Sequence, residues 1–245
     1  MKVLICIDDT DNLESRGTGH LAEILAGQIE ERGWGRCSGI TRHQLCVHPD
    51  IPYTSHNSSM CFETCLNNSS LTELIDFASE FLLKESAEGS DPGLCIVAID
   101  NVQETDLLVK FGCQAKIEVL TKQEAYDLAQ KLGIHLSEHG GTGQGVIGAL
   151  AGVGLRFTGN DGRFKGKIRL KADNDQITVR DILAQSRVEL VKSLEGTILE
   201  DDDVVILGDK VKAVMLEGKC VMLVYSPEGC QKEWHTCTKQ QLRKF

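Results

Sequence analysis

The start of the chain constrains the fold most. Val3-Leu4-Ile5-Cys6-Ile7 is an unbroken apolar run that gives way at once to Asp8-Asp9-Thr10-Asp11-Asn12. A short β-branched run bounded by turn formers reads as a buried strand. Three carboxylates within four positions at the end of such a strand repel one another and gain little from burial. Two readings follow. A hard divalent cation such as Mg²⁺ takes carboxylate and phosphate oxygens together, which makes Asp8, Asp9 and Asp11 metal ligands. Alternatively the cluster is an acidic Asx turn or helix cap, for which one carboxylate suffices.

Ser15-Arg16-Gly17-Thr18-Gly19 follows, and then Leu21, Ile24, Leu25 and Ile29 recur at helical spacing up to a stop at Gly33. The order is strand, acidic turn, Gly-rich loop, helix. Gly17 and Gly19 let the backbone approach a ligand, and a helix N-terminus offers N–H groups to an anion. No Gly-Lys-Ser/Thr follows, so this is not a Walker A loop. Thr18 is either the helix N-cap or a phosphate-side hydroxyl. A second glycine-rich stretch, 139–154, begins His139-Gly140-Gly141-Thr142-Gly143-Gln144-Gly145 and continues as a helix of small residues. Close helix–sheet packing explains Gly148, Ala149, Ala151 and Gly152. Gly140, Gly141, Gly143 and Gly145 read as a nucleotide or phosphate loop, or else as a mobile linker.

The 245 residues, 41% hydrophobic, suffice for one large domain or two small ones. No stretch of 18 apolar residues predicts a membrane span, and no secretory signal precedes the first strand. A cytoplasmic protein is expected. The ten cysteines then read as reduced thiols, Cys6 and Cys95 as core residues, and no C-x-x-C marks a ribbon or redox site. A net charge of −10 makes the whole chain a poor general nucleic-acid binder. Arg163, Lys165, Lys167, Arg169 and Lys171 alternate and predict one face of a strand, either simply solvated or facing phosphate or RNA.

Elsewhere the pattern predicts strands at 36–47, 57–65 and 94–99, and helices at about 71–87, 104–113 and 122–132. The loop at 48–53 is stiffened by prolines. Residues 117–120 are ambiguous. Beyond a boundary near 157–162 the elements are mostly short strands, with one helix at 179–185. Segments 204–207, 210–216 and 220–224 read as an antiparallel set. The expected class is α/β (α+β). A kinase-like domain at 1–157, with a mixed sheet flanked by helices, precedes a smaller, mostly β accessory domain at 162–245.

Four motifs occur in one order: Asp8-Asp9-Thr10-Asp11; Thr18 ahead of a Leu-Ala helix; Thr41-Arg42 followed by Pro49-Asp50-Ile51-Pro52-Tyr53; and Gly143-Gln144-Gly145-Val146-Ile147-Gly148-Ala149-Leu150-Ala151. Over about residues 1–155 they resemble the archaeal tRNA-isoleucine agmatinylcytidine synthetase family, TiaS. That family phosphorylates a cytidine carbonyl in the anticodon with ATP, and agmatine displaces the phosphate. The resemblance implies that Asp8, Asp9 and Asp11 serve Mg²⁺ and the ATP phosphates, and that Thr18 receives phosphate. Gly143 and Gly145 match the family's nucleotide-side segment and Arg42 an arginine ahead of its proline loop; Thr10, Gly17, Gly19 and Gly141 are read beside them as cofactor-binding residues. The family's OB-fold and zinc ribbon have no counterpart here, so action on tRNA is expected only with a partner.

Three functions remain in view. The first is an ATP- and Mg²⁺-dependent phosphotransferase or ligase acting on an oxygen of a small-molecule or RNA acceptor, with His20 or His43 as proton carrier or merely structural. The second is a non-catalytic nucleotide- or metabolite-binding module. The third is a tRNA-modifying subunit that needs a partner. Two zinc sets are weak by spacing: Cys220, Cys230, His235 and Cys237; and His43, Cys46 and His48.

Overall fold

A computed structural model describes residues 1–51, 56–227 and 233–245, Lys244 by its backbone alone. The chain forms two compact units, Met1–Thr158 and Gly159–Phe245.

In the first unit, β1 (Lys2–Asp8) lies between β4 (Ser58–Leu66) and β5 (Gly93–Ala98). β2 (Gly35–Cys37) and β3 (Thr41–Gln44) both pair with β4, and β6 (His135–Glu138) pairs with β5; every ladder is antiparallel. The apolar run of β1 does not alternate because both of its faces are covered. Val3, Ile5 and Ile7 pack with α1 (Thr18–Glu31) and α2 (Leu71–Glu85) through Leu25, Ile29, Leu74 and Leu82. Leu4 and Cys6 pack with α3 (Thr105–Gln114), α4 (Lys122–Leu132) and α5 (Gly145–Phe157) through Leu108, Ala125 and Leu150. Each fully buried Leu or Ile contributes about 1.5–3 kcal/mol. Ser70 and Thr121 start α2 and α4 with full capping boxes, their hydroxyls and the side chains of Glu73 and Glu124 bonding reciprocally. Small residues let α5 lie close: a Cβ on Gly152 would stand 2.4 Å from Ser59 Oγ and 2.5 Å from Cys6 Sγ. Cys6 and Cys95 are free, buried thiols whose pKa burial raises.

The second unit is built on β12 (Lys219–Tyr225), which pairs antiparallel with β11 (Val214–Leu216) and β13 (Trp234–Thr236) and parallel with β9 (Leu190–Ser193). β7 (Arg163–Phe164) extends the sheet beyond β11, and β10 (Val204–Ile206) runs parallel to β13 and antiparallel to β8 (Gln176–Thr178). α6 (Val179–Gln185) is capped by Thr178. The class is α+β, and the mixed character of the pairing comes from β9 and β10.

Three expectations change. The strand expected at 36–47 is two strands, because at Ser38 the regular ladder with β4 breaks: Ser38 N–H bonds Glu63 O at 2.8 Å, but the Glu63 N–H goes to the Ser38 hydroxyl at 2.9 Å instead of to a backbone carbonyl. The set expected at 204–224 is not consecutive: β10 pairs with β8 and β13, and only β11 and β12 form a hairpin. The basic stretch 163–171 is a strand only at Arg163–Phe164, since its later backbone groups make few ladder bonds.

Candidate functional site

β1 ends at a pocket of about 380 Å³ within the first unit. Asp8, Asp9, Asp11 and Thr18 form its acidic end. Gly145, Ile147 and Gly148, on the first turns of α5, form another wall. Leu45, Ile51, Ala115, Val119 and Leu120 make an apolar side, with Asp50, Glu118, His56, Asn57, Ser58 and Gln144 completing the lining. Five carboxylates thus face this space, and among the described residues no lysine or arginine lines it.

The acidic turn is held under tension. Asp9 has φ 50°, a left-handed conformation that a non-glycine residue adopts at a cost. Burial pushes Asp8 up to about 8, helped by the neighbouring charges of Asp9 and Asp11 and opposed by a hydrogen bond from the Asp9 backbone. Burial likewise raises Asp9 to about 6, with Asp91 and then Asp11 adding repulsion. Gly148 makes room for Asp8: a Cβ there would stand 1.7 Å from Asp8 Oδ2.

Thr18 is not the helix cap. Gly17, at φ 86° and ψ 151°, occupies the N-cap position without a side-chain bond. The capping acceptor is Asp11, whose Oδ1 accepts the Thr18 N–H at 3.3 Å and the Thr18 hydroxyl at 2.6 Å. Thr18 Oγ1 in turn accepts the Thr10 N–H at 3.3 Å. Asp11 thus serves the helix, while Asp8 and Asp9 face a pocket that no lysine or arginine lines among the described residues.

The other sequence candidates disperse. Thr10 is buried beside the pocket, its hydroxyl without a hydrogen-bond partner among the described residues. Gly17, Gly19, Arg42, Gly141 and Gly143 do not line the pocket. Arg42 Nε donates to Ser58 Oγ, a lining group, at 2.9 Å, and reaches Gln44 at 3.2 Å. The loop 140–143 is occupied by the chain's own carboxylates. Asp91 takes the Thr142 N–H, and Asp91 Oδ2 accepts the Thr142 hydroxyl at 2.6 Å. Lys122 bridges Glu138, at 2.7 Å, and Thr142 O, at 2.9 Å. His43 is buried against Thr41 Oγ1 at 2.7 Å, and His20 sits near Glu23 at 3.9 Å; neither lines the pocket. Pro52 and Tyr53 of the proline loop, and Cys230 of one zinc set, lie outside the described residues. Sequence reasoning missed Asp91 and Glu118. The only signals for them were a polar turn, Asp91-Pro92-Gly93, and the ambiguous stretch 117–120.

A bound Mg²⁺ fits this donor set. Among the described residues no group of three His, Cys, Asp or Glu side chains is arranged as a metal cage. Mg²⁺ usually takes only one or two carboxylates and completes its shell with water and substrate phosphates. Buried Asp8 and half-buried Asp9 repel one another and have no lining lysine or arginine among the described residues, so they offer those carboxylates. No helix among the described residues is long and apolar enough to cross a membrane.

No family model matches the chain. It is 33% identical over 164 residues to the isoleucine-tRNA 2-agmatinylcytidine synthetase TiaS of Archaeoglobus fulgidus, covering 64% of this chain and 36% of that protein. The corresponding enzyme of Methanocorpusculum labreanum is 26% identical over 156 residues, covering 62% and 34%. The crystal structure of TiaS in complex with its isoleucine tRNA and ATP superposes with a TM-score of 0.54 at 30% identity, over 63% of this chain and 36% of that one. The chain thus spans about a third of the length of these relatives. Over about 63% of its residues it is a TiaS-like protein, in sequence and in fold.

Proposed function

We propose that the first unit uses ATP and Mg²⁺ to transfer a phosphoryl group to an oxygen, the activating half of a TiaS-like modification of an RNA acceptor. The observation that carries this reading is the pocket itself, which Asp8, Asp9, Asp11 and Thr18 line together with apolar residues. The apolar side suits a nucleobase and the acidic end suits a cation-bound polyphosphate. The TiaS relative was solved with tRNA and ATP, which supports the same ligand classes here.

Asp8 and Asp9 would hold Mg²⁺, which would supply charge neutralisation on the phosphates. The positive end of the α5 dipole faces the same space. The Thr18 hydroxyl points its proton at Asp11 Oδ1, 2.6 Å away. In the transfer, the Thr18 oxygen bonds to the γ-phosphorus and its proton passes to Asp11. The bond from the γ-phosphorus to the β,γ-bridging oxygen breaks, and ADP leaves. A geometry of nucleophile and adjacent base is what such a step needs.

A non-catalytic nucleotide-binding module is the competing reading, favoured by the occupation of Thr142 by Asp91. Turnover separates the two. Incubation with γ-labelled ATP and Mg²⁺, followed by peptide mapping, should place phosphate on Thr18 and release ADP. Nucleotide binding with neither ADP release nor label would leave only the binding module.

A further inference from the structure

The charge of the chain is unevenly spread. Residues 1–158 carry 11 Lys and Arg against 22 Asp and Glu, whereas residues 159–245 carry 15 against 14. Within the second unit the segment 163–171 holds five basic residues and no acidic one. Its apolar members, Phe164, Ile168 and Leu170, pack into the core of that unit. Alternation then turns Lys167, Arg169 and Lys171 outward, and all three are exposed. The segment is pinned although it is not a regular strand. Phe164 N–H bonds Ala213 O at 2.9 Å, Ile168 N–H bonds Val211 O at 3.2 Å, and Lys171 N–H bonds Gln185 Oε1 at 2.8 Å. At its start Arg163 is half-buried and has the guanidinium of Arg243 for a neighbour. Burial and then that like charge lower its pKa, partly offset by Asp161.

We propose that segment 163–171 is a docking track for the phosphate backbone of one RNA strand, contacted by Lys167, Arg169 and Lys171. Successive outward cations on extended backbone stand about 7 Å apart, a regular comb suited to a repeating anion. None of the three has an ion-pair partner among the described residues. The outward positions carry no large apolar side chain, so the track has nothing to insert into a lipid surface. It also has no outward aromatic residue to stack a base, so contact would be backbone-only and tolerant of sequence. The proposal rests on the RNA acceptor of the proposed function, but its test is independent of turnover.

The probe is a labelled 20-nucleotide oligouridylate, titrated with the full chain by fluorescence anisotropy across a salt series. The variant K167S/R169S/K171S should lose at least about tenfold in affinity at low salt. Its log–log salt slope should be shallower by about 2, since each phosphate contact on a single strand contributes roughly 0.7. The variant K84S/K110S/K131S removes the same charge from the first unit and should bind within about twofold of the parent. Circular dichroism melts confirm that both variants fold. No binding by the parent, equal loss in both variants, or no loss in the first variant would overturn the track. Tighter binding by the parent to phosphatidylserine vesicles than to the oligonucleotide, lost in the first variant, would overturn RNA as the partner. ATP turnover without RNA should be the same in the parent and in K167S/R169S/K171S. Its absence from both would remove the enzymatic reading and leave the binding result standing.

Discussion

Replacing Asp8 by Asn should stabilise the protein at alkaline pH while removing its metal-dependent nucleotide binding. In the folded chain Asp8 titrates at about 8 instead of its ordinary 3.8, chiefly because it is buried. A raised carboxylate pKa means that the folded state holds a proton the unfolded state has released. Between about pH 4 and pH 8 stability therefore falls as pH rises. The gap of roughly four units, at about 1.36 kcal/mol each, makes the full loss on the order of 5 kcal/mol. That is comparable with the whole stability of a small domain. Asp9, raised to about 6, acts in the same direction over a narrower window. Asn carries no charge at any pH and keeps the shape. Urea unfolding in EDTA should find Asp8→Asn and the parent within about 1 kcal/mol near pH 4.5. Near pH 8.5 the variant should be several kcal/mol more stable. Adding Mg²⁺ near pH 8.5 should raise the parent towards the variant and leave the variant unmoved. A stability difference that stays flat from acid to alkali would refute the claim that Asp8 is buried with uncompensated charge, and with it the argument for a cation.

Thr18→Ser should retain phosphate labelling, whereas Thr18→Val should abolish it and cost about 1–2 kcal/mol in denaturant melts through the lost bonds to Asp11 and Thr10. Gly148→Ala places a methyl 1.7 Å from Asp8 Oδ2, so Mg²⁺–ATP affinity measured by calorimetry should fall at least about tenfold, with α5 still formed. Asp91→Ala should destabilise the fold by about 2 kcal/mol by releasing Thr142, and should lower the pH at which Asp9 titrates, read by carboxyl NMR.

What the sequence made legible is what local rules write. β1 announced its double burial by failing to alternate, and the helices at 71–85 and 122–132 were visible in their apolar spacing. The acidic turn was visible because three carboxylates crowd one strand end. Other parts of the site were hidden for equally physical reasons. Asp91 reaches Thr142 across 51 positions, and no local period connects them. Thr18 has the position of a cap in the sequence, but the cap is supplied from Asp11, seven residues earlier, which only the folded loop reveals. The alternation of 163–171 was read correctly as inward and outward faces and wrongly as a strand, because alternation records burial and not ladder pairing.

The pocket's charge also limits what it can bind. Five carboxylates, with no lysine or arginine lining the pocket among the described residues, make a space that repels a polyphosphate. Two neutralisations are open to the site: protons, which Asp8 takes up below about pH 8, or a divalent ion, which needs the same oxygens deprotonated. The two compete, so metal and nucleotide should bind together or hardly at all. On the proposed function, the apolar side of Leu45, Ala115 and Leu120 would supply affinity for a base that the acidic end withholds from its phosphates. On the same proposal, free ATP would be held off by the same carboxylates that would recruit the metal-bound form. Such discrimination would need no lysine and no Walker loop, only a strand end that keeps a buried Asp8 and a half-buried Asp9 close together.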